Sequence, residues 1–494
     1  MTNPRNREVC RQWFILFALG AASCIPALIL KEDAKGSGGN GGGGTGDTNG
    51  SGGAGGSGPA CGDPMAEIGE LCFKTTHEPL LSFGTLKGFS DLALVNCDEA
   101  SPGLEIVVTA TAPDASVAAQ RQDGLGMYQA PGDAKISKLT TTIAEPKSLR
   151  AGKINADNMV DLLVGAHTVN LPGQGRVVTL YGEGSCMFGV NDDYTVPKAL
   201  VDVGLADIDN LGKYDHVLSR VASFKQTLDT PKGGLGWCGP QKPALEYVET
   251  LAPKLNVVRM ATADLNGDSA EDVVILGQNP NSLTIFLAAP SLAPTIYTFL
   301  KQYLFTDNIG MPSDLVIADF DGDKNGCLDV AVIIDLPLNS PLALQLWTNP
   351  PLGNGCEGTL TEHLGNFRVV PKNSPTFAGG VVAIAAADLD GDKKIDIVIA
   401  GNKQPNNMVS EAYLSVLLNE GSDKVTNDGV GWFRPLAAPD ESSSKVEGKF
   451  PYPLPSNPSR VRLGDLNGDK KIDIAATIED MGGKGSVMML YSAP

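Results

Sequence analysis

The chain has 494 residues, a formal net charge of −19, and 42% hydrophobic residues. A single hydrophobic core rarely grows beyond about 250–300 residues, so this length indicates several domains or one domain built by repetition. The acidic charge argues against nucleic acid as a partner, because phosphate contacts need clustered lysine and arginine. Either solubility or carboxylates that bind metal ions would explain the charge.

The N-terminus has the organisation of an export signal. Three arginines precede an apolar run that starts at Trp13, and small residues at 21–23 precede Cys24. This predicts a signal peptide over 1–23. The junction resembles the lipobox of bacterial lipoproteins, although Ala21 stands where that family prefers Leu. The resemblance implies lipidation of Cys24, membrane attachment through that lipid alone, and a lipoprotein of the outer membrane or cell surface. Simple secretion and an uncleaved signal anchor are the alternatives, and all three export the chain.

A tether follows the predicted anchor. Residues 24–60 contain a run of glycine and serine at 36–58, which cannot bury apolar surface. We therefore expect a lipid-anchor region and flexible linker over 24–60 and a folded body over 61–494.

The cysteines agree with export, since disulfides persist in oxidising compartments. Cys61 and Cys72 flank a short loop and are predicted to pair, and Cys97 is the candidate for a free thiol. Connectivity cannot be read from sequence alone, but two further pairs are plausible: Cys186 with Cys238 and Cys327 with Cys356.

An internal repeat determines the predicted fold. One acidic motif recurs seven times, its last acid every 54 to 77 residues, with short β-branched runs after each copy. A unit of this length fits four short strands, which is one propeller blade. The sequence thus predicts an all-β, seven-bladed β-propeller of four-stranded blades. The strand-like segment 70–83 is expected to close the ring by joining the last blade, because a propeller must protect its edge strands.

Four copies of the motif place oxygen-bearing side chains at alternate positions of a tight loop. Like charges so close together repel each other unless a cation neutralises them, and oxygen ligands in an irregular loop favour Ca²⁺. An EF-hand is excluded, because its flanking helices and its Glu at position twelve are missing. The candidate ligands are Asp264, Asn266, Asp268, Asp272, Asp319, Asp321, Asp323, Asp329, Asp388, Asp390, Asp392, Asp396, Asp465, Asn467, Asp469 and Asp473.

These loops resemble the FG-GAP/VCBS repeat, the unit of the integrin α-subunit N-terminal propeller. The resemblance covers about residues 80–490 and implies that Ca²⁺ binds structurally within each blade. We expect about four ions and a weak fifth at 207–215, where Leu211 replaces an acid. The copy at 153–161 begins with Lys153, whose ammonium group can stand in for a cation.

Nothing in the sequence resembles a complete catalytic site. The four histidines are scattered, and no metalloprotease, nucleophile-elbow or P-loop motif occurs in the folded body. The expectation is a monomeric, non-catalytic module for protein binding or adhesion, with an unidentified surface protein or glycan as partner. The alternatives are a lectin-like glycan binder and a part of a polysaccharide-processing enzyme. The candidate binding loops are 223–248, 349–366 and 425–455. Some of them contain aromatic residues, which can either bind a partner or cap blade edges.

Overall fold

The computed structural model describes residues 73–74 and 80–492 with internal gaps, the longest of which are 228–255, 369–379, 422–431 and 436–451. The predicted signal peptide, Cys24, the linker and the Cys61–Cys72 pair lie outside the described residues. Among the described residues there is no helix with the length and apolar character to cross a membrane.

The described elements are β-strands. After β1 (Phe73–Lys74) and β2 (Leu81–Lys87), the first three sheets follow in chain order. The first sheet has β3 (Leu92–Val95), β4 (Glu105–Ala110), β5 (Ser116–Gln120) and β6 (Lys135–Lys138). The second has β7 (Ile143–Gly152), β8 (Asp161–Thr168), β9 (Gln174–Gly184) and β10 (Met187–Pro197). The third has β11 (Leu200–Ala206), β12 (Asp215–Arg220) and β13 (Ser223–Thr227).

Four more sheets follow. The fourth has β14 (Asn256–Ala263), β15 (Asp272–Gln278), β16 (Ser282–Ala289) and β17 (Ile296–Leu304). The fifth has β18 (Met311–Ala318), β19 (Asp329–Asp335), β20 (Leu342–Thr348) and, after the small hairpin of β21 (Pro351–Leu352) and β22 (Gly355–Cys356), β23 (Thr361–Arg368). The sixth has β24 (Val381–Ala387), β25 (Asp396–Lys403) and β26 (Glu411–Asn419), with β27 (Phe433–Pro435) and β28 (Tyr452–Leu454) both paired to β26. The last has β29 (Asn457–Gly464), β30 (Asp473–Glu479) and β31 (Lys484–Ser492), and both β1 and β2 pair with β31.

This architecture is an all-β β-propeller. The sheets are antiparallel, and in most of them the strands follow one another in chain order across the sheet. In the last sheet, β1 and β2 from the beginning of the folded chain follow β31. The second strand of the described blades, such as β15, is buried along nearly its whole length. It is covered on both faces by neighbouring sheets, which explains the continuous apolar runs in the sequence.

The predicted number of blades needs correction. Six sheets have four or five strands and form complete blades, whereas seven four-stranded blades were predicted. The β11–β13 sheet has only three strands among the described residues, because the chain after Thr227 enters the gap at 228–255.

The hydrophobic core is divided into clusters, each lying between two neighbouring sheets. Val332 of the fifth sheet, for example, packs in one cluster with Leu276 of the fourth. Another cluster joins Val108 of the first sheet to Val487 of the last. Stability is therefore distributed around the ring, and each blade depends on both of its neighbours.

Polar contacts reinforce three of these junctions at the innermost strands. Asp91, Asp202 and Asp314 are buried and precede or lie in β3, β11 and β18. One carboxylate oxygen of each accepts the N–H of the following residue, and the other accepts an N–H from the inner strand of the next sheet. These second donors are Leu149, Met260 and Ile384, at distances of 2.9, 3.2 and 3.3 Å.

Candidate metal centres

Each candidate metal loop connects the first strand of a blade to its second. The loop at 264–272, for example, joins β14 to β15, and the last aspartate is the first residue of the second strand. The other three loops, at 319–329, 388–396 and 465–473, have the same placement. The repeat therefore puts all four candidate sites at the same corner of their blades.

Backbone N–H groups fix the carboxylates within each loop. In the loop at 264–272, Asp264 accepts the N–H groups of Gly267 and Ser269, both at 2.7 Å. The side chain of Asn266 accepts the N–H of Asp268 at 2.9 Å. Equivalent bonds occur in the loops that begin at Asp319, Asp388 and Asp465. The loop's own backbone thus holds these side chains in place.

The structure brings several predicted ligands close together. Carboxylate oxygens of Asp319, Asp321 and Asp329 lie within 4.8 Å of one another. The same holds for Asp388, Asp390 and Asp392. Oxygens at this separation can share one cation. The other two loops have an asparagine at the third position, so they hold fewer acids.

The last aspartate of each loop has a second role that the sequence did not reveal. Asp272 is fully buried, and its two oxygens accept the N–H groups of Leu265 and Ala288, at 2.9 and 2.8 Å. It therefore ties the loop to the third strand of the same blade. Corresponding bonds are made by Asp329, Asp396 and Asp473.

This structural role persists where the ligand set has degenerated. In the copy at 153–161, Asp161 accepts the N–H groups of Ile154 and Gly182, at 2.8 and 2.9 Å. In the first copy, one oxygen of Glu105 accepts the N–H of Cys97 at 2.9 Å. The last acid thus organises the blade corner, whereas the earlier loop positions vary between copies. Of the loop at 207–215, residues 208–214 lie outside the described residues.

Burial and mutual repulsion shift these acids strongly. Burial, together with the charge of neighbouring loop carboxylates, raises the pKa of Asp272, Asp329, Asp396 and Asp473 to about 7 each. Burial likewise raises the pKa of Asp264 and Asp319. A compact group of acids that resists ionisation is the electrostatic environment that a bound cation would relieve.

Amide side chains connect the loops to the neighbouring blades. The carbonyl oxygen of Leu265 accepts a hydrogen bond from Asn349 of the fifth sheet, at 2.7 Å. Asn419 of the sixth sheet donates in the same way to Phe320, at 2.8 Å. Gln122 of the first sheet donates to Leu466 of the last. The carbonyl involved is always at the second loop position, so loop geometry is coupled to blade packing.

Glycine at the fourth loop position is required by the backbone, as predicted. Gly267, Gly322, Gly391 and Gly468 have φ between 63° and 80°, a conformation that costs other residues about 1–2 kcal/mol. A Cβ at Gly391 would meet no atom within 4 Å, whereas a Cβ at Gly468 would lie 2.6 Å from the side chain of Pro102.

These two glycines form a matched pair for mutation. We expect Gly391→Ala to lower the unfolding free energy by about 1 kcal/mol, through the backbone conformation alone. Gly468→Ala adds a clash with Pro102 of the first blade, so it should lower the unfolding free energy by at least about 1 kcal/mol more. Urea unfolding of both variants measures the difference, and equal losses would contradict the close approach at Pro102.

Two disulfides are present among the described residues. Cys327 pairs with Cys356, which confirms that predicted pair. It fastens the loop with two extra residues to the β21–β22 hairpin. Cys97 pairs with Cys186, so the predictions of a free Cys97 and of a Cys186–Cys238 bond were wrong. Cys97 follows β3 and Cys186 lies in the turn after β9, so folding brings together two cysteines that are 89 residues apart.

The Cys97–Cys186 bond closes a long loop and joins the first two sheets. We expect Cys97→Ser to lower the unfolding free energy by about 3–5 kcal/mol, since cross-links over long loops restrict the unfolded chain most. Cys356→Ser, which opens a loop of 29 residues, should cost about 1 kcal/mol less. Thermal unfolding of both variants measures the two losses of stability. A larger loss for Cys356→Ser would show that loop length does not determine how much each disulfide stabilises the fold.

The aromatic residues of the candidate binding loops are only partly described. Trp432 is 8% exposed and packs in the core between the fifth and sixth sheets, together with Phe433. Tyr452 is half-buried against the neighbouring core cluster. Both therefore cap a blade edge, which was the alternative to a binding role. Trp237 and Phe450 lie outside the described residues.

No family model matches this chain, and no curated protein matches it. Solved structures are similar in fold. A lectin from Burkholderia pseudomallei has a TM-score of 0.48 at 11% identity, over 83% of this chain and 100% of that one. A lectin from Agrocybe aegerita, described as recognising non-reducing terminal N-acetylglucosamine, has a TM-score of 0.40 at 16% identity, over 85% and 93% of the two chains. A periplasmic gluconolactonase from Pseudomonas aeruginosa has a TM-score of 0.40 at 12% identity, over 82% and 96%.

Proposed function

We propose that the chain is an exported, calcium-binding β-propeller that serves as a non-catalytic protein-binding or adhesion module. Four acidic loops with one hydrogen-bond pattern, at one corner of four consecutive blades, are the observation that carries the calcium proposal. The candidate ligand atoms of these loops are all oxygens. Ca²⁺ prefers oxygen ligands, whereas zinc is bound mainly through nitrogen and sulfur. In this proposal the chain belongs with the FG-GAP/VCBS repeats that its loops resemble.

The loop at 319–329 supplies a specific test of fit. Oδ2 of Asp323 is buried and has no hydrogen-bond partner among the described residues. A buried carboxylate oxygen without a donor is costly, and a cation shared with Asp319 and Asp321 would satisfy it. The residues present therefore fit a calcium ion at this loop.

The loop at 388–396 differs from the others, because Lys394 forms an ion pair with Asp392. A calcium ion at this loop must compete with the Lys394 ammonium group for that carboxylate. We therefore expect the weakest of the four affinities here. Lys394→Met should strengthen calcium binding at this loop alone.

Calcium would stabilise the scaffold rather than take part in a reaction. The loop carbonyls accept hydrogen bonds from the next blade, so ions that order the loops also order the packing between blades.

We infer further that the β11–β13 sheet occupies a blade position and that β1 and β2 close the ring on β31. The predicted export signal and tether would present this body as a lipoprotein at a cell surface or outer membrane, with its connecting loops available to a partner.

The experiment is a calcium titration of the metal-free protein by isothermal titration calorimetry, with elemental analysis of the saturated protein. We expect about four calcium ions per chain and much weaker binding of Mg²⁺, which demands a more regular geometry. Asp268→Ala should remove one ion. The matched control is Asp157→Ala, the same loop position in the copy that begins with Lys153, and its ion count should be unchanged. If elemental analysis finds no calcium bound after the titration, the proposal is refuted.

The partner is sought in a second experiment. The calcium-saturated chain is screened against arrays of surface proteins and of glycans, with a calcium-free sample as the control. Binding to proteins would support the adhesion module, whereas exclusive binding to glycans would replace it with the lectin-like alternative. Turnover of a polysaccharide would contradict a non-catalytic role.

A further inference from the structure

Five of the seven innermost strands carry a charged residue at one repeated position that lies outside the acidic motif. The position lies four residues before the end of the inner strand. Its occupants, in sheet order, are Asp91, Ser148, Asp202, Arg259, Asp314, Ala383 and Arg460. Two more arginines lie two residues further along, Arg150 and Arg462. We call these four arginines and three aspartates the axial ring.

The ring is tied together by ion pairs. Arg150 contacts Asp91 at 3.1 Å and Asp202 at 2.9 Å. Asp91 also contacts Arg460 and Arg462 of the last sheet, both at 3.2 Å. Arg259 lies 3.4 Å from Asp314. The first strands of a propeller surround its central axis, so these charges meet at the mouth or wall of the central channel.

The charges also act on one another across the axis. Burial, together with the positive charge of Arg259, lowers the pKa of Arg460, although these residues belong to the fourth and last sheets. The carboxylate of Asp314 in the fifth sheet likewise acts on Arg150 in the second. Charges on sheets that are not neighbours can interact in this way only when they face a common space.

Each of the three aspartates uses both oxygens for backbone N–H groups. Asp91 also accepts hydrogen bonds from Arg150, Arg460 and Arg462. Arg460 and Arg462 each donate to Asp91 and to one backbone carbonyl, which uses only part of their five N–H donors. For Arg259 the structure gives only the contact from Nε to Asp314, and its four Nη hydrogens have no acceptor among the described residues. The side chains of Arg259, Arg150 and Arg462 are 18%, 27% and 30% exposed, so solvent reaches them.

The ring thus has an excess of one positive charge inside a chain whose net charge is −19. We propose that the axial ring binds an oxyanion, a carboxylate or phosphate group, with Arg259, Arg460 and Arg462 as the principal donors. Guanidinium groups suit this chemistry, because their planar donors match carboxylate and phosphate oxygens. One bound anion neutralises the excess charge and occupies the unused donors. This site does not share residues with the calcium loops, which follow the C-terminal ends of the inner strands.

The experiment uses the full chain in metal-free buffer, because phosphate precipitates calcium, and compares inorganic phosphate, acetate and chloride at constant ionic strength. Thermal unfolding and isothermal titration calorimetry are the readouts. We expect phosphate or acetate to raise the melting temperature, whereas chloride at the same ionic strength should not. The stronger of the two oxyanions identifies the ligand class. Equal effects of all three salts would show screening alone and would overturn the proposal.

Variants locate the site. Arg259→Gln should weaken oxyanion binding by at least about tenfold, the equivalent of about 1.4 kcal/mol. Arg176→Gln, which removes the ion pair with Asp193 on the second sheet, is the matched control and should bind normally. Asp314→Asn raises the excess positive charge and should tighten binding, an effect that general destabilisation does not produce.

If Arg259→Gln does not fold, Arg462→Gln replaces it, because Arg462 is more exposed. The same loss of oxyanion affinity is expected. Oxyanion binding that survives in the folded arginine variants would place the anion elsewhere and overturn the proposal. Failure of the calcium titration would leave this test unaffected, because its variants and its ligand are different.

Discussion

Replacing Asp91 with alanine is expected to lower the unfolding free energy by about 3–5 kcal/mol, the range for breaking a buried ion pair by removing one partner. Asp91 is 1% exposed and is the only acid in contact with Arg460 and Arg462 among the described residues. Its loss leaves these two guanidinium groups without an acidic partner, leaves Arg150 with Asp202 alone, and frees the N–H of Leu149. Urea unfolding with intact calcium is the measurement.

The matched control is Asp114→Ala, in the turn between β4 and β5 of the same blade. Asp114 forms an ion pair with Lys138, but both side chains are more than half exposed, and such pairs contribute less than about 1 kcal/mol. A loss for Asp91→Ala as small as that of the control would mean that the axial ring does not hold the first and last sheets together.

The acid sensitivity of the same residue follows from its environment. Burial alone would raise the pKa of Asp91, but the charges of Arg460, Arg462 and Arg150 outweigh it and hold the pKa well below its usual range. A lowered folded-state pKa adds stability that is present above the unfolded pKa, near 3.8, and is lost as the pH falls further. Wild type should therefore lose its advantage over Asp91→Ala below about pH 4.

The repeat made the fold predictable, since one motif with a regular spacing located the inner strands and the loops between them. The left-handed glycine at the fourth position was equally evident, because its cause is local. The strands most accurately predicted, such as β15 and β25, directly follow a strong motif copy. The blade count was less accurate, because the outer strands carry no motif and the sequence around 228–255 gives no comparable signal.

What the sequence did not show depends on contacts between distant parts of the chain. Cys97 and Cys186 belong to different sheets, and no local pattern links them. The two roles of Asp272 could not be separated, because a ligand and a hydrogen-bond acceptor look alike in sequence. The axial ring did leave a signal, since Asp314 and Arg460 are charged residues at equivalent positions of their repeats. A charge in a buried strand needs partners, and only the closed arrangement of sheets shows which they are.

Removal of calcium is expected to lower the melting temperature by at least about 10 °C near neutral pH. Each site saturated at 100 times its dissociation constant contributes about 2.7 kcal/mol, and four sites act on one folded body. The loss should spread beyond the loops, because Leu265, Phe320 and Leu466 accept hydrogen bonds from neighbouring blades. Differential scanning calorimetry of calcium-saturated and metal-free protein is the measurement, with Mg²⁺ as the control ion.

The size of this effect should depend on pH in a definite direction. In the metal-free protein the pKa values of Asp272, Asp329, Asp396 and Asp473 are raised to about 7, above their unfolded value of 3.8. A raised folded-state pKa adds stability below the unfolded pKa, and this is lost as the pH rises through 7. The metal-free protein should therefore become less stable between about pH 4 and pH 8.

Calcium reverses that trend, because it binds the ionised carboxylates and competes with their protons. The difference in melting temperature between the two forms should thus be small at about pH 5 and large at about pH 8. Samples are made metal-free first and then dialysed to each pH, since chelators themselves weaken in acid. A calcium effect that is constant across this range would show that the buried aspartates remain ionised without metal, and that backbone N–H groups alone neutralise the loops.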